Sequence, residues 1–213
     1  MRKFGQWSTN QVEIPWLSDS EFQAAYRVAA ERTIVPIDRC YILWAFAKYA
    51  MTIYGHFAEC GVYRGGTAAL IAQISRSSKD LFLFDTFSGI PPGDASKDNR
   101  YIKGGEFGDT SYEAVSEFLN KNGLSAAIFK GMVPETFETF KDVVFSFVHL
   151  DMDIYKPTKH ALEFFYPRMH PGGVIVLDDY GAEECAGIGE ALREYGCPFI
   201  PLPTGQALVI ANG

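Results

Sequence analysis

Two short apolar runs in the second half of the chain end directly in aspartates. Residues 145–150 lead into Asp151, and residues 173–177 lead into Asp178 and Asp179. Short apolar runs bounded by turn-forming residues are typical of buried strands in a parallel sheet. Because ligands of such sheets bind beyond the carboxyl ends of the strands, neighbouring strands would bring these acids together at one edge.

Carboxylates packed at one edge of a sheet repel one another. Unless a cation holds them, one of the carboxyl groups is forced to take up a proton. Carboxylate oxygens suit a hard divalent ion such as Mg²⁺. Asp153 follows Asp151 by two residues, so both side chains can face one side, whereas Asp178 and Asp179 converge only if the backbone turns there. These four acids exceed what loop capping requires, so the sequence favours a cation site over simple caps.

The rest of the chain alternates predicted strands with predicted helices. The further strands are predicted at residues 56–60, 81–84, 126–129, 199–202 and 207–210. The helices are predicted at residues 18–32, where a capping box begins, and at 36–54, 66–76, 110–120, 157–168 and 183–195, with a helical turn at 135–140. This order predicts a doubly wound α/β sheet that is mainly parallel, with a C-terminal hairpin that adds an antiparallel strand at the edge.

The chain is expected to form a single globular domain. Its 213 residues are 47% hydrophobic, which suits one core. We divide it into an N-terminal helical segment, residues 1–54, and an α/β region, residues 55–213. Residues 1–17 fit either an arm or part of a lid. The connection from Ser88 to Asp109 is too long for a simple strand-to-helix loop, and such loops cover a site or are disordered.

Composition excludes several classes of protein. A net charge of −7 without a basic stripe argues against a nucleic-acid partner. No run approaches the roughly 18 apolar residues of a membrane span, and no apolar segment of a signal peptide follows the start. The four cysteines are scattered without CxxC spacing, which indicates reduced thiols in a cytoplasmic protein.

A glycine-rich loop follows the first predicted strand. Glycines there let a ligand approach the backbone, and Glu59 at the strand end suits the ammonium group of an amino-acid-like ligand. Asp85 closes the next strand, where an acid commonly accepts hydrogen bonds from both ribose hydroxyls. The alternatives are a glycine turn and a helix cap with no ligand. Because Tyr63 stands where a dinucleotide fingerprint needs glycine, the pair of acids instead favours S-adenosylmethionine, a nucleoside with an amino-acid tail.

His149 lies inside the apolar strand that precedes Asp151. A histidine with satisfied hydrogen bonds in the core is the favoured interpretation, ahead of a catalytic role. None of the histidine pairs has a zinc spacing, and no nucleophile elbow marks a serine triad.

Several segments together resemble the TylF/MycF family of S-adenosylmethionine-dependent O-methyltransferases. That family includes macrocin O-methyltransferase and other sugar methyltransferases of antibiotic pathways. The combination LDxDxY…PGGxxxxDDY is specific, whereas the glycine loop alone is common. The matching stretches are AECGVYRGGTA, LFLFDTFSGIP, GDTSYEAV, FKGMVPETF, FVHLDMDIYKPTKHALEFFYPRMHPGGVIVLDDYG and GIGEALREYG.

The resemblance implies a class I methyltransferase (Rossmann-like) fold for residues 55–213, with a Mg²⁺ site. Asp151, Asp178 and Asp179 match the metal ligands of the family. The positions expected to contact S-adenosylmethionine are Glu59, Gly61, Tyr63, Thr67, Asp85, Ser88, Lys130, Gly131 and Asp151.

The expected activity is methyl transfer to a hydroxyl of a sugar or another small natural-product intermediate, with Mg²⁺ orienting the acceptor. Asp151 or Asp153 is expected to take the proton, with His149 as a substitute. The alternatives are a metal-dependent O-methyltransferase of a catechol or diol, a metal-dependent oxygenase-like protein, and a non-catalytic cofactor-binding protein. The apolar residues of the second helix fit either the core, which is favoured, or the interface of a homo-oligomer.

Overall fold

The protein is represented by a computed structural model that describes residues 14–75, 78–99 and 102–212. The predicted arm or lid over residues 1–17 therefore lies mostly outside the described residues. Its end is a short helix, α1 (Pro15–Ser18), that carries Trp16. Among the described residues, none of the helices is both long enough and apolar enough to cross a membrane.

A seven-stranded sheet forms the centre of the fold, in the order β3-β2-β1-β4-β5-β7-β6. The first five strands are parallel, and β7 pairs antiparallel with both of its neighbours. The predicted doubly wound, mainly parallel sheet is therefore confirmed. The strands are β1 (His56–Cys60), β2 (Leu81–Asp85), β3 (Ala127–Lys130), β4 (Phe145–Leu150), β5 (Met169–Leu177), β6 (Ile200–Pro201) and β7 (Ala207–Ile210).

The closing hairpin adds antiparallel strands at one edge of the sheet, as predicted. The second strand of the closing hairpin, β7, pairs with β5, so the two-residue β6 is left at the edge. Pro201 in β6 has no N–H to donate, which suits an edge strand and not an interior one.

The helices fall close to the predicted segments. Asp19, not Ser18, caps the second helix by accepting a hydrogen bond from the N–H of Phe22 at 2.9 Å. The helix predicted at residues 157–168 ends in a 3₁₀ turn at Tyr166–Arg168, and the helix predicted at residues 183–195 begins in one at Glu183–Cys185. The predicted helical turn at Glu135–Phe140 is also 3₁₀. The remaining α-helices are α2 (Ser20–Ala29), α3 (Ile37–Ala50), α4 (Gly66–Ser75), α5 (Tyr112–Lys121), α6 (Tyr155–Phe165) and α7 (Ala186–Tyr195).

Both faces of the sheet are covered by helices. On one face α6 and α7 pack over a cluster that includes Phe84, Phe145 and Phe165. On the other face α3 and α4 pack over a cluster that includes Phe57 and Phe147, and α2 lies outside them against α4. The apolar residues of α3 that are buried therefore belong to this core, as the sequence favoured.

The strands that precede the predicted site end at the same level. In the register, Cys60 of β1 lies opposite Leu150 of β4, and Leu150 lies opposite Leu177 of β5. The N–H of Asp151 donates to the carbonyl of Cys60 at 2.9 Å, and that of Asp178 to the carbonyl of Leu150 at 2.9 Å. The premise that the two aspartate-ended strands are neighbours is therefore correct.

Gly61 marks the closest approach of two backbones at this edge. Its φ is +85°, and a Cβ added there would lie 1.7 Å from the carbonyl oxygen of Asp151. Only glycine fits between the tips of β1 and β4, so the glycine of the predicted loop has a packing reason of its own.

We expect Gly61→Ala to destabilise the protein by more than about 4 kcal/mol or to prevent folding, because the β1 and β4 tips must separate. Gly123→Ala is the matched control, since Gly123 also has positive φ, at +65°, but nothing lies within 4 Å of its added Cβ. The control should cost about 1–2 kcal/mol from backbone strain alone. Urea unfolding measures both, and equal losses would contradict the close-approach argument.

Candidate active site

A cavity of about 270 Å³ opens where β1, β2, β4 and β5 end. Its walls come from the loop after β1, the strand tips and residues 32–36 and 39 at the start of α3. It joins most of the predicted cofactor positions to the predicted metal ligands in one space. The predicted site residues that line it are Gly61, Tyr63, Thr67, Asp85, Gly131, Asp151, Asp153, Asp178 and Asp179.

The long connection after β2 covers part of this cavity. Gly89, Ile90 and Phe107 contribute to the lining, and Ile90 exchanges backbone hydrogen bonds with residues 105 and 106. Asp98 fastens the connection to α6 by accepting a hydrogen bond from the N–H of Tyr155 at 2.7 Å. The described part of this connection therefore covers the site, which is one of the two roles expected for so long a loop.

Asp85 is held by the backbone around it. Its Oδ2 accepts the N–H groups of Val62 and Tyr63 at 2.7 and 2.8 Å, and its Oδ1 accepts that of Phe87 at 2.7 Å. A carboxylate offers about four acceptor positions, so about one remains for a ligand. The expectation that Asp85 accepts hydrogen bonds from both ribose hydroxyls stays a prediction.

Three predicted cofactor positions do not line the cavity. Ser88 and Lys130 are exposed side chains outside the lining, although Gly131, next to Lys130, contributes to it. Glu59 is fully buried, and its Oε1 lies 2.8 Å from Nδ1 of His149. Side chains along β1 alternate between the two faces of the sheet. The side chain of Glu59 therefore lies inside the protein beside β4, where its paired residue is His149.

The acids at the strand tips converge because the backbone turns. Asp179 has φ +52° and Asp153 has φ +63°, in the left-handed region that residues other than glycine rarely adopt. The turn that consecutive aspartates require is therefore made by Asp179 itself. Such backbone strain is found at binding and catalytic sites, where the surrounding structure holds it in place.

Arg39 supplies a positive charge that the sequence argument missed. Its Nη1 donates to Oδ1 of Asp178 at 2.8 Å and to Oδ1 of Asp179 at 2.5 Å, and its Nε donates to the carbonyl of Thr204 at 2.9 Å. The side chain of Asp178 is 1% exposed. The signal that could have found it is its position four residues before the buried Leu43, where a charge on an apolar helix face implies an internal partner.

Burial and mutual repulsion shift the acids. Burial raises the pKa of Asp151 well above its usual range, and the neighbouring aspartates raise it further. Burial, followed by the charge of Asp179, raises the pKa of Asp153 to about 7. Burial also raises the pKa of Asp178, although His149 and Arg39 oppose that shift.

The donor atoms fit a divalent cation. Carboxylate oxygens of Asp151 and Asp178 and a ring nitrogen of His149 lie within 4.8 Å of one another. Asp153, Asp179 and Sγ of Cys185 form a second group of the same kind, so the three predicted ligands are divided between two adjoining groups. Oδ2 of Asp178 is buried and has no hydrogen-bond partner among the residues that the structure describes, as expected for an oxygen that binds a cation.

The sequence profile of the macrocin O-methyltransferase (TylF) family matches residues 45–196. Among curated relatives, the chain is 27% identical over 153 residues to 8-demethyl-8-(2,3-dimethoxy-alpha-L-rhamnosyl)-tetracenomycin-C 4'-O-methyltransferase of Streptomyces olivaceus, covering 66% of this chain and 58% of the relative. It is 27% identical over 155 residues to mycinamicin III 3''-O-methyltransferase of Micromonospora griseorubida, covering 66% and 60%. The matches thus span about three fifths of these relatives.

Solved structures agree on the fold. The O-methyltransferase NovP superimposes with a TM-score of 0.71 at 23% identity, over 85% of this chain and 83% of that one. The calicheamicin methyltransferase CalS11 gives a TM-score of 0.72 at 18% identity, over 99% and 98%. Together with the strand order, these likenesses establish the class I methyltransferase fold that the resemblance implied.

We expect Arg39→Gln to destabilise the protein by roughly 1–3 kcal/mol in the presence of EDTA, because it leaves the buried Asp178 without its ion-pair partner. Lys48→Gln is the control, because it removes the Lys48–Glu21 pair, whose side chains are 45% and 69% exposed. That loss should stay below about 1 kcal/mol. Thermal and urea unfolding distinguish the two, and an Arg39 effect no larger than the control would refute the role of this pair.

Proposed function

The chain belongs to the macrocin O-methyltransferase (TylF) family, and from that premise we propose that it transfers a methyl group from S-adenosylmethionine to a hydroxyl of a sugar or other small natural-product intermediate. The observation that carries the proposal is the shared cavity, which is lined by the glycine loop and Asp85 on one side and by aspartates on the other. A methyl donor and a hydroxyl acceptor bound on those two sides would meet inside it.

The cofactor side supplies positioning. Gly61 lines the cavity at the β1 tip, and Asp85 fixes the following loop while keeping an acceptor position for a ribose hydroxyl. Thr67 lies in the first turn of α4, next to free helix N–H groups. Holding donor and acceptor in reactive geometry accounts for much of the acceleration in a displacement of this kind.

The acidic side would hold Mg²⁺ through Asp151, Asp178 and Asp179. When bound, the ion supplies Lewis-acid chemistry that eases loss of the acceptor's proton and orients its oxygen. The buried, unpartnered Oδ2 of Asp178 supports this assignment, as does the raised pKa of Asp151, since a cation would relieve the repulsion behind it.

The proton of the acceptor hydroxyl must leave as the new bond forms. The carbon–oxygen bond forms while the carbon–sulfur bond breaks, and S-adenosylhomocysteine departs with the electron pair on sulfur. Asp153 lines the cavity and has a pKa of about 7, which suits a general base at neutral pH. We therefore favour Asp153 over Asp151 as the base. His149 is fully buried and is not part of the lining, so we do not assign it the role of base.

If Asp153 is the base, kcat/KM should fall as the pH drops below about 7, the pKa of its carboxyl group, because the protonated group cannot accept a proton. The decline should approach tenfold per pH unit, and Asp153→Asn should lose roughly 10²–10⁴-fold in rate together with this dependence. A bound cation lowers the pKa, so the decline should move to lower pH as the divalent-ion concentration rises.

Asp142→Asn is the control for this pH profile, because Asp142 is exposed and precedes the opposite end of β4. It should leave the profile unchanged. An Asp153→Asn enzyme that keeps the wild-type pH profile would exclude Asp153 as the base.

The test of the function combines calorimetry with product analysis. S-adenosylmethionine should bind with or without Mg²⁺, and a sugar-bearing acceptor should gain the mass of one methyl group. Asp179→Asn should reduce turnover by more than the roughly 10- to 100-fold that loss of an outer-shell partner produces, while cofactor binding stays nearly intact.

Each rival function predicts a different outcome of these assays. Methylation of catechols but not of sugars would show that the acceptor is a catechol and not a sugar. Unchanged turnover in EDTA would remove the metal from the reaction. Failure to bind S-adenosylmethionine would refute methyl transfer altogether.

A further inference from the structure

A row of buried polar atoms without partners leads from β1 to the acid cluster. Among the described residues, Oε2 of Glu59, Nε2 of His149 and Oδ2 of Asp178 are buried and accept or donate no hydrogen bond. The side chains of Glu59 and His149 are 0% exposed, and that of Asp178 is 1% exposed. Buried polar atoms are nearly always satisfied, so this row requires an explanation.

The position of the histidine ring decides which nitrogen is available. Nδ1 of His149 lies 2.8 Å from Oε1 of Glu59. A carboxylate in its ionised form only accepts hydrogen bonds, and with that form of Glu59 a neutral His149 ring carries its proton on Nδ1 and presents the lone pair of Nε2. That lone pair faces Oδ2 of Asp178 across 4.0 Å, which is too long for a hydrogen bond.

The gap matches the span of a coordinated ion. A metal bound to a nitrogen at about 2.0–2.1 Å and to an oxygen at about 2.0–2.2 Å holds the two atoms up to about 4.3 Å apart when they lie on opposite sides of the ion. A carboxylate oxygen of Asp151 lies within 4.8 Å of a ring nitrogen of His149 and of an oxygen of Asp178, so Asp151 is the candidate for a third ligand.

We propose that His149 binds the cation of this site through Nε2, together with Asp151 and Asp178, and that Glu59 orients the ring. This inference rests on the metal assignment of the proposed function and adds a nitrogen ligand to its oxygen set. A ligating histidine ordinarily donates its other N–H to a carboxylate or carbonyl, and the Glu59–His149 pair has this arrangement. Glu59 is therefore a positioning residue, and its distance from the cavity has a functional reason.

The nitrogen ligand changes which ion the site prefers. Mg²⁺ favours a shell of oxygen atoms, whereas imidazole suits first-row transition ions, whose affinity for nitrogen and oxygen sites rises from Mn²⁺ towards Cu²⁺. The site should therefore bind Mn²⁺ and Co²⁺ more tightly than Mg²⁺. The competing explanation is that the ring is a charged core histidine between two carboxylates and never meets a metal.

The decisive measurement is pulsed electron paramagnetic resonance of Mn²⁺ added to the metal-free protein. We expect nuclear modulation from a histidine nitrogen, and this signal should change when all histidines carry nitrogen-15. The experiment needs no mutation, so it does not depend on whether a variant folds. Bound Mn²⁺ without histidine modulation would overturn the proposal, and the core ion-pair explanation would stand.

Variants then assign the signal to one residue. His149→Gln should abolish the modulation and weaken Mn²⁺ binding by at least about tenfold, and Glu59→Gln should weaken it by about tenfold or more. Asp179→Asn should weaken binding but keep the nitrogen signal. His160→Gln, on α6, is the matched control and should change neither. Persistence of the signal in His149→Gln would also overturn the assignment.

The outcomes separate this inference from the proposed function. Methyl transfer that continues in EDTA, together with a failure to bind Mn²⁺, would refute both the metal site and the ligand role of His149. The proposed methyltransferase function would still stand. Metal-dependent transfer without a nitrogen signal would remove only the ligand role of His149.

Discussion

The repulsion among aspartates at the ends of two neighbouring strands is the constraint on which this site depends. Asp151 and Asp178 are brought together by the parallel register, and Asp153 and Asp179 join them through left-handed turns. Within the described chain, Arg39 supplies the countercharge for two of the four. Because that arginine lies in the first turn of α3, in the N-terminal segment, the same ion pairs that offset the repulsion also fasten this segment over the sheet edge.

The single positive charge of Arg39 does not balance the four aspartates, and part of their negative charge remains uncompensated. Arg39 contacts only the Oδ1 atoms of Asp178 and Asp179, so Oδ2 of Asp178 stays unpartnered and the pKa of Asp151 stays raised by burial and its acidic neighbours. A divalent ion bound through the free oxygens would not have to displace the arginine. The ion pairs of Arg39 therefore leave a negatively charged position that a cation can occupy.

The sequence predicted the contacts that follow from strand order. It could not predict the contacts that follow from packing between segments far apart in the chain. Apolar runs ending in acids located β4 and β5, and since β4 and β5 are neighbours, Asp151 and Asp178 had to meet. Arg39 is separated from Asp178 by 139 positions in the chain, and no local pattern links a helix residue to a particular strand tip. The absence of Glu59 from the cavity lining has a related reason. Its position at a strand end was right, but the facing direction of its side chain follows from the pleat and from its partner His149.

The pleat also explains how one strand serves two purposes. Along β4, alternate side chains face opposite layers, so His149 and Asp151 share a face while Leu150 packs in the cluster beneath α6 and α7. On the shared face, Glu59, His149 and Asp178 come from three adjacent strands and lie in one diagonal row. A parallel sheet with level strand ends thus aligns a buried carboxylate, an imidazole and a rim carboxylate without any loop to position them. Backbone hydrogen bonds on both sides of β4 fix the spacing between the strands that carry these three residues.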